Sequence, residues 1–394
     1  CVGVLTERDL TRKVVVFAWD VDRPVSEVMT SPVHTISNQA LMFEALMVMM
    51  KEGIRHLAIL GSDEDVVGII SNRDILAAQG KSPVFLLREL ANADSMDEII
   101  DRHNILPQQV RSLINSGAQA KNLTRFITTV SDTILEKLIE FALKELGPPP
   151  AKFVFMILGS EGRNEQTLKT DQDNAIIFED VPEGEAEKAM AYFLAFGERV
   201  CGLLDEAGYA FCTGNIMAKN PKWCQPLARW KSYFSEWIHA AGADDLLQAT
   251  IFFDFRGGYG EMALIDNLRE YLFETLDGWS GFFTPFSENA LRLRPPIGFF
   301  KNFLVATKGK HKDTFDIKSA MTPIVDFARI YALKNGIAET NTLDRLEQLR
   351  IKRVLKQPQY EELEKAYSFL QQIRFVRQVT AIMDENGQPD NYIN

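Results

Sequence analysis

Residues 153–178 read FVFMILGSEGRNEQTLKTDQDNAIIF, and this stretch decides how the fold is interpreted. One apolar run of strand length opens it (153–158) and a second closes it (175–178), a pattern typical of strands buried on both faces. Asp171 and Asp173 precede the second run. Because side chains at i and i+2 of a strand point to the same side, we expect the two carboxylates to converge. The stretch therefore predicts a site for a divalent cation on hard oxygen ligands.

The turn after the first strand has the composition of a phosphate-binding loop. Gly159 lets the backbone turn sharply and approach a ligand closely, and Ser160 offers a hydroxyl and an N–H to a phosphate oxygen. Arg163 could make a bidentate contact with a phosphate. An isolated D-x-D is more often a solvated turn, but here Gly159 lies twelve residues before Asp171, between two apolar strands. We therefore predict a nucleotide-phosphate site at these residues.

The combination of Gly-Ser and D-x-D resembles the signature of the nucleotidyltransferase superfamily, which includes DNA polymerase beta, the poly(A) polymerases and the PII uridylyltransferases. The string GSEGRNEQTLKTDQDNA (159–175) more closely resembles the DUF294 branch, which is similar to the N-terminal domain of PII uridylyltransferase. The resemblance continues through 212–230 and 251–260 and covers most of the chain after about residue 85.

This resemblance implies a polymerase-beta-like domain with a mixed sheet. It also implies transfer of a nucleoside monophosphate, UMP or AMP, from a nucleoside triphosphate to an acceptor hydroxyl, with Mg²⁺ or Mn²⁺ as cofactor and loss of pyrophosphate. By the same analogy, the acceptor could be a PII-like protein in bacterial signal transduction.

A third carboxylate is also implied by the resemblance, on a later strand, and we transfer that role to Asp254. It lies in IFFDF (251–255), interpreted as an apolar strand interrupted by one acid. A charge in such a run is unfavourable unless it is paired or bound to a metal. With Asp171 and Asp173 it would complete a two-metal site, whereas an ion pair with Arg256 remains the alternative. Secondary candidates are Glu165, which could equally be a loop acid, and Asn174, which could instead hold the strand edge.

The N-terminal part contains an internal repeat. VGVLTERDL (2–10) and VGIISNRDIL (67–76) share an apolar strand, a Thr or Ser, and an Arg-Asp pair that opens a helix. Strand and helix patterns alternate between them, with an amphipathic helix at 40–52. The module resembles a CBS domain, complete over about 25–80, and an earlier copy survives only as its last strand and helix (1–16). Because no Met begins the chain, we expect it to be a fragment of a longer protein.

The CBS resemblance implies that adenosine nucleotides bind in clefts between paired copies. The family's ligand contacts correspond here to Thr6 and Asp9 in the first copy and to Ser71 and Asp74 in the second. A carboxylate would contact the ribose hydroxyls and a hydroxyl would lie near the phosphate. Capping of the following helices by the Thr and Ser is the alternative. CBS pairs commonly dimerise, so a homodimer through these modules is expected.

Two helical regions complete the pattern. Residues 82–147 show apolar residues at spacings of three and four, and Gly147 followed by three prolines ends the last helix. Helical patterns return after Gly260, with expected helices near 297–307 and from Pro323 to an Asn-Gly stop. Three cations there could reach a triphosphate or lie on solvated helix faces: Lys301, Lys318 and Arg329.

Three tryptophans recur every seven residues, which places them near one helical face: Trp223, Trp230 and Trp237. Pro226 is expected to exclude the first from the helix. Packing against the sheet or a neighbouring domain is favoured over base stacking.

The composition of the chain argues against several classes of function. The chain has 394 residues, of which 46% are hydrophobic and 25% charged, as in soluble proteins of several domains. A net charge of −11 argues against general nucleic-acid binding, which needs a basic surface. Four cysteines without a C-x-x-C pair argue against structural zinc and suit the cytoplasm. No apolar run reaches 18 residues, so no membrane span is expected.

The sequence thus predicts an α/β (α+β) multidomain protein. The expected parts are the end of a first CBS motif (1–20), a second CBS motif (21–80), a helical connector (81–150), a catalytic domain (151–262) and a helical C-terminal domain (263–394). The expected function is CBS-regulated nucleotidyl transfer. The alternative is a catalytically silent module that senses adenine nucleotides for signalling or interaction.

Overall fold

The computed structural model describes the whole chain except residues 1, 21, 62, 64, 78–82, 240–249, 278, 293–295, 297–304, 306–311, 386 and 394, and the side chains of 8, 76, 77 and 280. The chain forms two compact units, residues 1–85 and 86–394. Helices and mixed sheets in both confirm the predicted α/β multidomain class. Lys301 and nearly all of the helix predicted at 297–307 lie outside the described residues.

The first unit is built on a three-stranded sheet of order β1-β2-β3. Its elements are α1 (Glu7–Asp9), which continues as a π-helix (Leu10–Val15), a 3₁₀ turn (Val25–Glu27), β1 (Thr35–Ser37), α2 (Met42–Lys51), β2 (His56–Leu60), β3 (Val66–Ser71) and α3 (Asn72–Ala77). Strand β2 runs parallel to β1 and antiparallel to β3. The predicted 3.6-residue pattern holds, since Leu46 and Met49 of α2 pack with Leu57 and Ile75 in one core.

A four-stranded mixed sheet forms the centre of the second unit, in the order β8-β6-β4-β9. Its strands are β4 (Phe153–Ile157), β6 (Asn174–Phe178), β8 (Cys224–Pro226) and β9 (Arg256–Gly260), and short pairs are formed by β5 (Asp171–Gln172) with β7 (Ala210–Phe211) and by β10 (Phe315–Asp316) with β11 (Tyr392–Ile393). Strand β4 lies antiparallel to β6 and β9, and β6 runs parallel to β8. All residues of β4 and β6 are buried, which confirms the two predicted core strands.

Helices make up most of the rest of the second unit where the structure describes it, and the first of them begins in the first unit. They are α4 (Pro83–Ala91), α5 (Met96–His103), α6 (Leu106–Asn115), α7 (Ala120–Leu146), α8 (Gly159–Gly162), α9 (Glu183–Glu206), α10 (Leu227–His239), α11 (Met262–Asp277), α12 (Phe283–Ala290), α13 (Ile317–Lys334), α14 (Thr342–Ile351) and α15 (Gln357–Met383). The described residues of this unit also form three 3₁₀ turns: Pro221–Trp223, Thr250–Phe253 and Ser280–Phe282.

Helix ends follow local signals. Gly147, with φ +81°, caps α7, and Gly336, with φ +60°, follows the end of α13, as glycine allows. Helix α13 begins at Ile317, before the predicted start at Pro323, because Asp316 accepts a hydrogen bond from the Ser319 N–H and caps it.

The tryptophans pack in the core, as predicted. Trp230 is fully buried, and its indole N–H donates to the Ile176 carbonyl at 3.0 Å. Trp223 is also buried and precedes α10, which begins after Pro226. Trp237 packs against the same cluster from a partly buried position. These contacts favour the packing interpretation over base stacking.

The prediction of a strand at 251–255 is wrong. Residues Thr250–Phe253 form a 3₁₀ turn instead, and the strand begins only at Arg256. Phe252 and Phe253 are adjacent and both buried in the same core cluster. Because a strand would direct adjacent side chains to opposite faces, the turn is the conformation that buries both rings together.

Candidate functional site

The Gly-Ser turn and the D-x-D meet at one end of the central sheet. The pairing of β4 with β6 places Ile157 opposite Asn174, and the Leu158 N–H donates to the Asp173 carbonyl at 2.9 Å. Gly159 follows with φ +61°, and a Cβ there would lie 3.1 Å from Asp173 Oδ2. Glycine is therefore required both by the backbone conformation and by the close approach to Asp173.

Three potential metal ligands converge beside this turn. Carboxylate oxygens of Asp171 and Asp173 and the sulfur of Cys212 all lie within 4.8 Å of one another. The predicted convergence of the two aspartates is therefore present, although Asp171 belongs to β5 and Asp173 lies between β5 and β6. Sequence reasoning missed Cys212, which arrives because β7, just before it, pairs with β5.

Burial and neighbouring charges shift the pKa values of several groups at this site. Burial, followed by the charge of Asp171, raises the pKa of Asp173 to about 6. Burial also raises the pKa of the Cys212 thiol. Lys318 faces both aspartates from α13, and burial, followed by the charge of Arg374, lowers its pKa. A cation bound between the aspartates would relieve the repulsion that raises the pKa of Asp173.

A cavity of about 280 Å³ opens at this point. Ser160, Asp171 and Asp173 line its sheet side, and Asn289 and Lys318 line the side formed by α12 and α13. The predicted Gly159 and Arg163 and the suggested Arg329 also line it. The arrangement combines clustered carboxylates, a hydroxyl and an ammonium, which can together hold a cation and a phosphate chain.

Asp254 departs from the role predicted for it. It is 0% exposed, and its Oδ2 accepts hydrogen bonds from Arg163 at 2.7 Å and from Arg329 at 2.6 Å. Its Oδ1 accepts one from Arg345 at 2.7 Å. Burial would raise the pKa of Asp254, but the charges of the three arginines hold it well below its usual range. With both oxygens engaged by guanidinium groups, Asp254 acts here as a structural centre rather than as a third metal ligand.

The alternative ion pair between Asp254 and Arg256 is also absent. Arg256 instead donates to Asp132 at 2.7 Å and to the Glu161 carbonyl at 3.1 Å. The prediction assumed a strand in which side chains at i and i+2 share a face, and the 3₁₀ turn removes that relationship.

Arg163 has partners that compete with its predicted phosphate role. Its Nε donates to Glu165 and its Nη1 to Asp254, both at 2.7 Å. Glu165 also accepts from the Thr342 N–H at 2.6 Å, so it ties α14 to the loop. Asn174 accepts from the Ala218 N–H at 2.8 Å and therefore holds the strand edge, the alternative role considered for it.

The C-terminal helix holds the loop that leads to the D-x-D. Gln378 of α15 accepts from the Leu168 N–H at 3.0 Å and donates to Thr167 Oγ1 at 3.1 Å. It also donates to Asn391 at 2.9 Å. This amide is fully buried, so its hydrogen bonds fix the loop without competition from water.

A second cavity, of about 540 Å³, lies within the first unit. Thr6 and Asp9 line it, but Ser71 and Asp74 are not among its described lining residues. In both pairs the hydroxyl and the carboxylate hydrogen-bond each other, and the hydroxyl accepts from the N–H of the aspartate. The capping alternative is therefore present in both copies, and Thr6 and Asp9 are in addition positioned beside a cavity.

Comparison with known families agrees with this architecture. Residues 104–244 match the family "Putative nucleotidyltransferase DUF294", residues 280–394 match the "Putative nucleotidyltransferase substrate binding domain", and residues 25–81 match the CBS domain. Across the part of the chain that the structure describes, the helices include none with the length and apolar character needed to cross a membrane.

Two curated relatives share part of the chain. One is an uncharacterized 17.7 kDa protein in the bps2 3′ region of Acidianus ambivalens, 36% identical over 77 residues that cover 20% of this chain and 46% of that protein. Another is uncharacterized protein MK0525 of Methanopyrus kandleri, 34% identical over 79 residues that cover 20% of this chain and 40% of that protein. The chain thus spans less than half the length of these relatives. From the family matches, it is a CBS-domain protein that carries a DUF294-type nucleotidyltransferase domain and its C-terminal substrate-binding domain.

Proposed function

We propose that this chain transfers a nucleoside monophosphate, UMP or AMP, from a nucleoside triphosphate to a hydroxyl of a protein or small molecule. One observation carries the proposal: Asp171 and Asp173 converge beside the Gly159-Ser160 turn, in a cavity that is also lined by helices of the stretch matching the substrate-binding domain. The family match to nucleotidyltransferases supports the reaction class.

Asp171 and Asp173 would hold Mg²⁺ or Mn²⁺, for which two nearby carboxylates are suitable ligands. When bound, the cation would neutralise charge on the triphosphate and on the leaving pyrophosphate. Because the pKa of Asp173 is raised only to about 6, this carboxylate is mostly ionised at neutral pH and ready to bind a cation.

Other residues that line the cavity would bind the triphosphate and the acceptor. Ser160 can donate to a phosphate oxygen, and the Lys318 ammonium can pair with another. Asp326 also lines the cavity but accepts from Arg329. Among the described acids there, Asp171 and Asp173 have no ion pair with an arginine, so they are the groups proposed to orient the acceptor hydroxyl and receive its proton.

Nucleotidyl transfer is tested with α-³²P-labelled ATP and UTP, Mg²⁺ or Mn²⁺, and a lysate that supplies acceptors, including a PII-like protein. A labelled protein or small product that forms with the wild type and not with Asp171→Asn/Asp173→Asn supports the proposal. Asp205→Asn, an exposed change on α9, is the matched control and should label like the wild type. Label that persists in the double variant would refute the assignment of these aspartates.

A second candidate function is nucleotide sensing without turnover. The locking of Asp254 by three arginines favours it, because the acid implied as the third member of the catalytic set is unavailable to a metal. Metal-dependent binding of a triphosphate with no labelled product would select this function over transfer.

Regulation by adenine nucleotides in the CBS unit belongs to the same proposal. The support is the cavity that Thr6 and Asp9 line. AMP, ADP and ATP should raise the melting temperature of the wild type more than that of Asp9→Ala. Light scattering would test the proposed homodimer, and the described free thiols, Cys201, Cys212 and Cys224, suit the proposed cytoplasmic setting.

A further inference from the structure

The cavity beside the aspartates contains a polar side chain that the proposed reaction leaves without a role. Asn289 lies near the end of α12 and is 5% exposed. Its Oδ1 is buried and has no hydrogen-bond partner among the described residues. An amide oxygen buried without a partner destabilises a protein, so such groups are uncommon unless a ligand completes them.

The surroundings of Asn289 differ from those of the aspartates. On α12 the cavity is lined, besides Asn289, by Phe286, one helical turn earlier, and by the neighbouring Ala290. This part is therefore mainly apolar with one amide, whereas Asp171 and Lys318 lie where charged groups cluster. A cavity with one charged region and one apolar region suits a ligand that is charged at one end and flat and weakly polar at the other.

We propose that Asn289 binds the nucleobase of the triphosphate, with its Oδ1 accepting a hydrogen bond from a base N–H. The inference rests on the proposed function and adds to it the residue that recognises the base. A carboxamide suits a base edge that presents an N–H donor beside an acceptor, as adenine does, and uracil offers the same combination. The phosphates would then extend toward Ser160 and Lys318.

Position distinguishes Asn289 from similar groups. Five other described side chains also have buried polar atoms without a partner: Thr128, Gln166, Gln172, Thr342 and Gln371. None of them is among the residues that line this cavity. Asn289 thus combines an unsatisfied acceptor with a place beside the proposed phosphate site.

The test separates base recognition from phosphate binding. Calorimetry with Mg²⁺ would measure the affinity of ATP, of UTP and of inorganic tripolyphosphate, which has no base. Asn289→Leu, which is close in size, should weaken binding of the preferred nucleotide by roughly tenfold or more. Tripolyphosphate should bind the variant as it binds the wild type. Without ligand, the variant should melt at the same temperature as the wild type or higher, because an unsatisfied buried group has been removed.

Thr128→Val is the matched control, because it also removes a buried polar group without a partner, here a hydroxyl, at a position outside the cavity lining. It should leave both affinities unchanged. Equal nucleotide affinity in the wild type and Asn289→Leu would overturn the inference, as would equal weakening of nucleotide and tripolyphosphate. Asn289→Ala gives the same comparison if the leucine variant does not fold. Failure of the wild type to bind either triphosphate would instead overturn the proposed function itself.

Discussion

Arg345 Nη1 donates to Asp254 Oδ1 at 2.7 Å, across 91 residues of sequence. The contact joins α14 to the segment between the 3₁₀ turn and β9. Arg163 and Arg329 meet the other oxygen of the same carboxylate. One buried acid therefore connects the Gly-Ser loop with two helices of the C-terminal region, and its removal would leave three guanidinium groups without their shared anion.

Asp254→Asn should reduce the free energy of unfolding by about 3–5 kcal/mol, as expected when one member of a buried ion network is removed. Urea unfolding of the variant and the wild type measures this. Asp384→Asn breaks an exposed pair with Arg111 and should change stability by less than about 1 kcal/mol. If Asp254→Asn is as stable as the wild type but has lost its affinity for the cation, Asp254 is a metal ligand after all.

Asp171→Asn/Asp173→Asn should abolish stabilisation by Mn²⁺. A cation that binds the folded state raises the melting temperature of the wild type, and the double variant lacks the carboxylates that would bind it. Thermal unfolding with and without Mn²⁺ measures the difference, and without metal the variant should be at least as stable, because two neighbouring negative charges are gone. An equal Mn²⁺ shift in both proteins would place the cation elsewhere.

Glu161 should make stability depend on pH. Burial raises its pKa to about 8, although the Arg256 guanidinium opposes the rise. The unfolded chain releases this proton near pH 4.5 and the folded protein only near pH 8. The contribution of Glu161 to the free energy of unfolding is therefore full below pH 4.5 and is lost as the pH rises through 8.

Glu161→Gln removes that titration. Relative to the wild type, the variant should therefore gain stability between pH 5 and pH 8, by at most about 1.4 kcal/mol per pH unit, with a constant difference above that range. Urea unfolding at several pH values measures it, and a difference independent of pH would show that Glu161 is ionised throughout.

Gly162→Ala should destabilise the protein, because the added Cβ would lie 2.1 Å from the Asp254 carbonyl oxygen. Overpacking against backbone of this kind is expected to remove roughly 1–3 kcal/mol. Gly202→Ala is the control: it lies inside α9 with nothing within 4 Å of the new Cβ and should stabilise by about 0.5–1 kcal/mol. Unfolding free energies that change alike in both variants would contradict this account of Gly162.

The core strands and the helix ends could be predicted because their signals are local. Apolar runs, Gly147 and the Asn335-Gly336 pair act within a few residues of the element they define. The convergence of Asp171 and Asp173 was likewise predictable, since one residue separates them.

Contacts between distant segments were not predictable in the same way. Cys212 lies near Asp173 because two short strands of two residues each pair just before it, and no periodic pattern in the sequence indicates this pairing. The arginines around Asp254 come from three separate segments: the Gly-Ser loop, α13 and α14. Asn289 is recognisable only by its burial without a partner, a property of packing that a single sequence does not display.

The hydrogen bonds of Gln378 bear on how such proteins can be rearranged by recombination. Thr167 lies in the stretch that matches the nucleotidyltransferase family and Gln378 in the stretch that matches the substrate-binding family. An exchange that joined one stretch to a foreign version of the other would place a new side chain against the loop before Asp171. Functional hybrids should therefore arise only when the two stretches are inherited together, or when the incoming helix brings an amide to the same position.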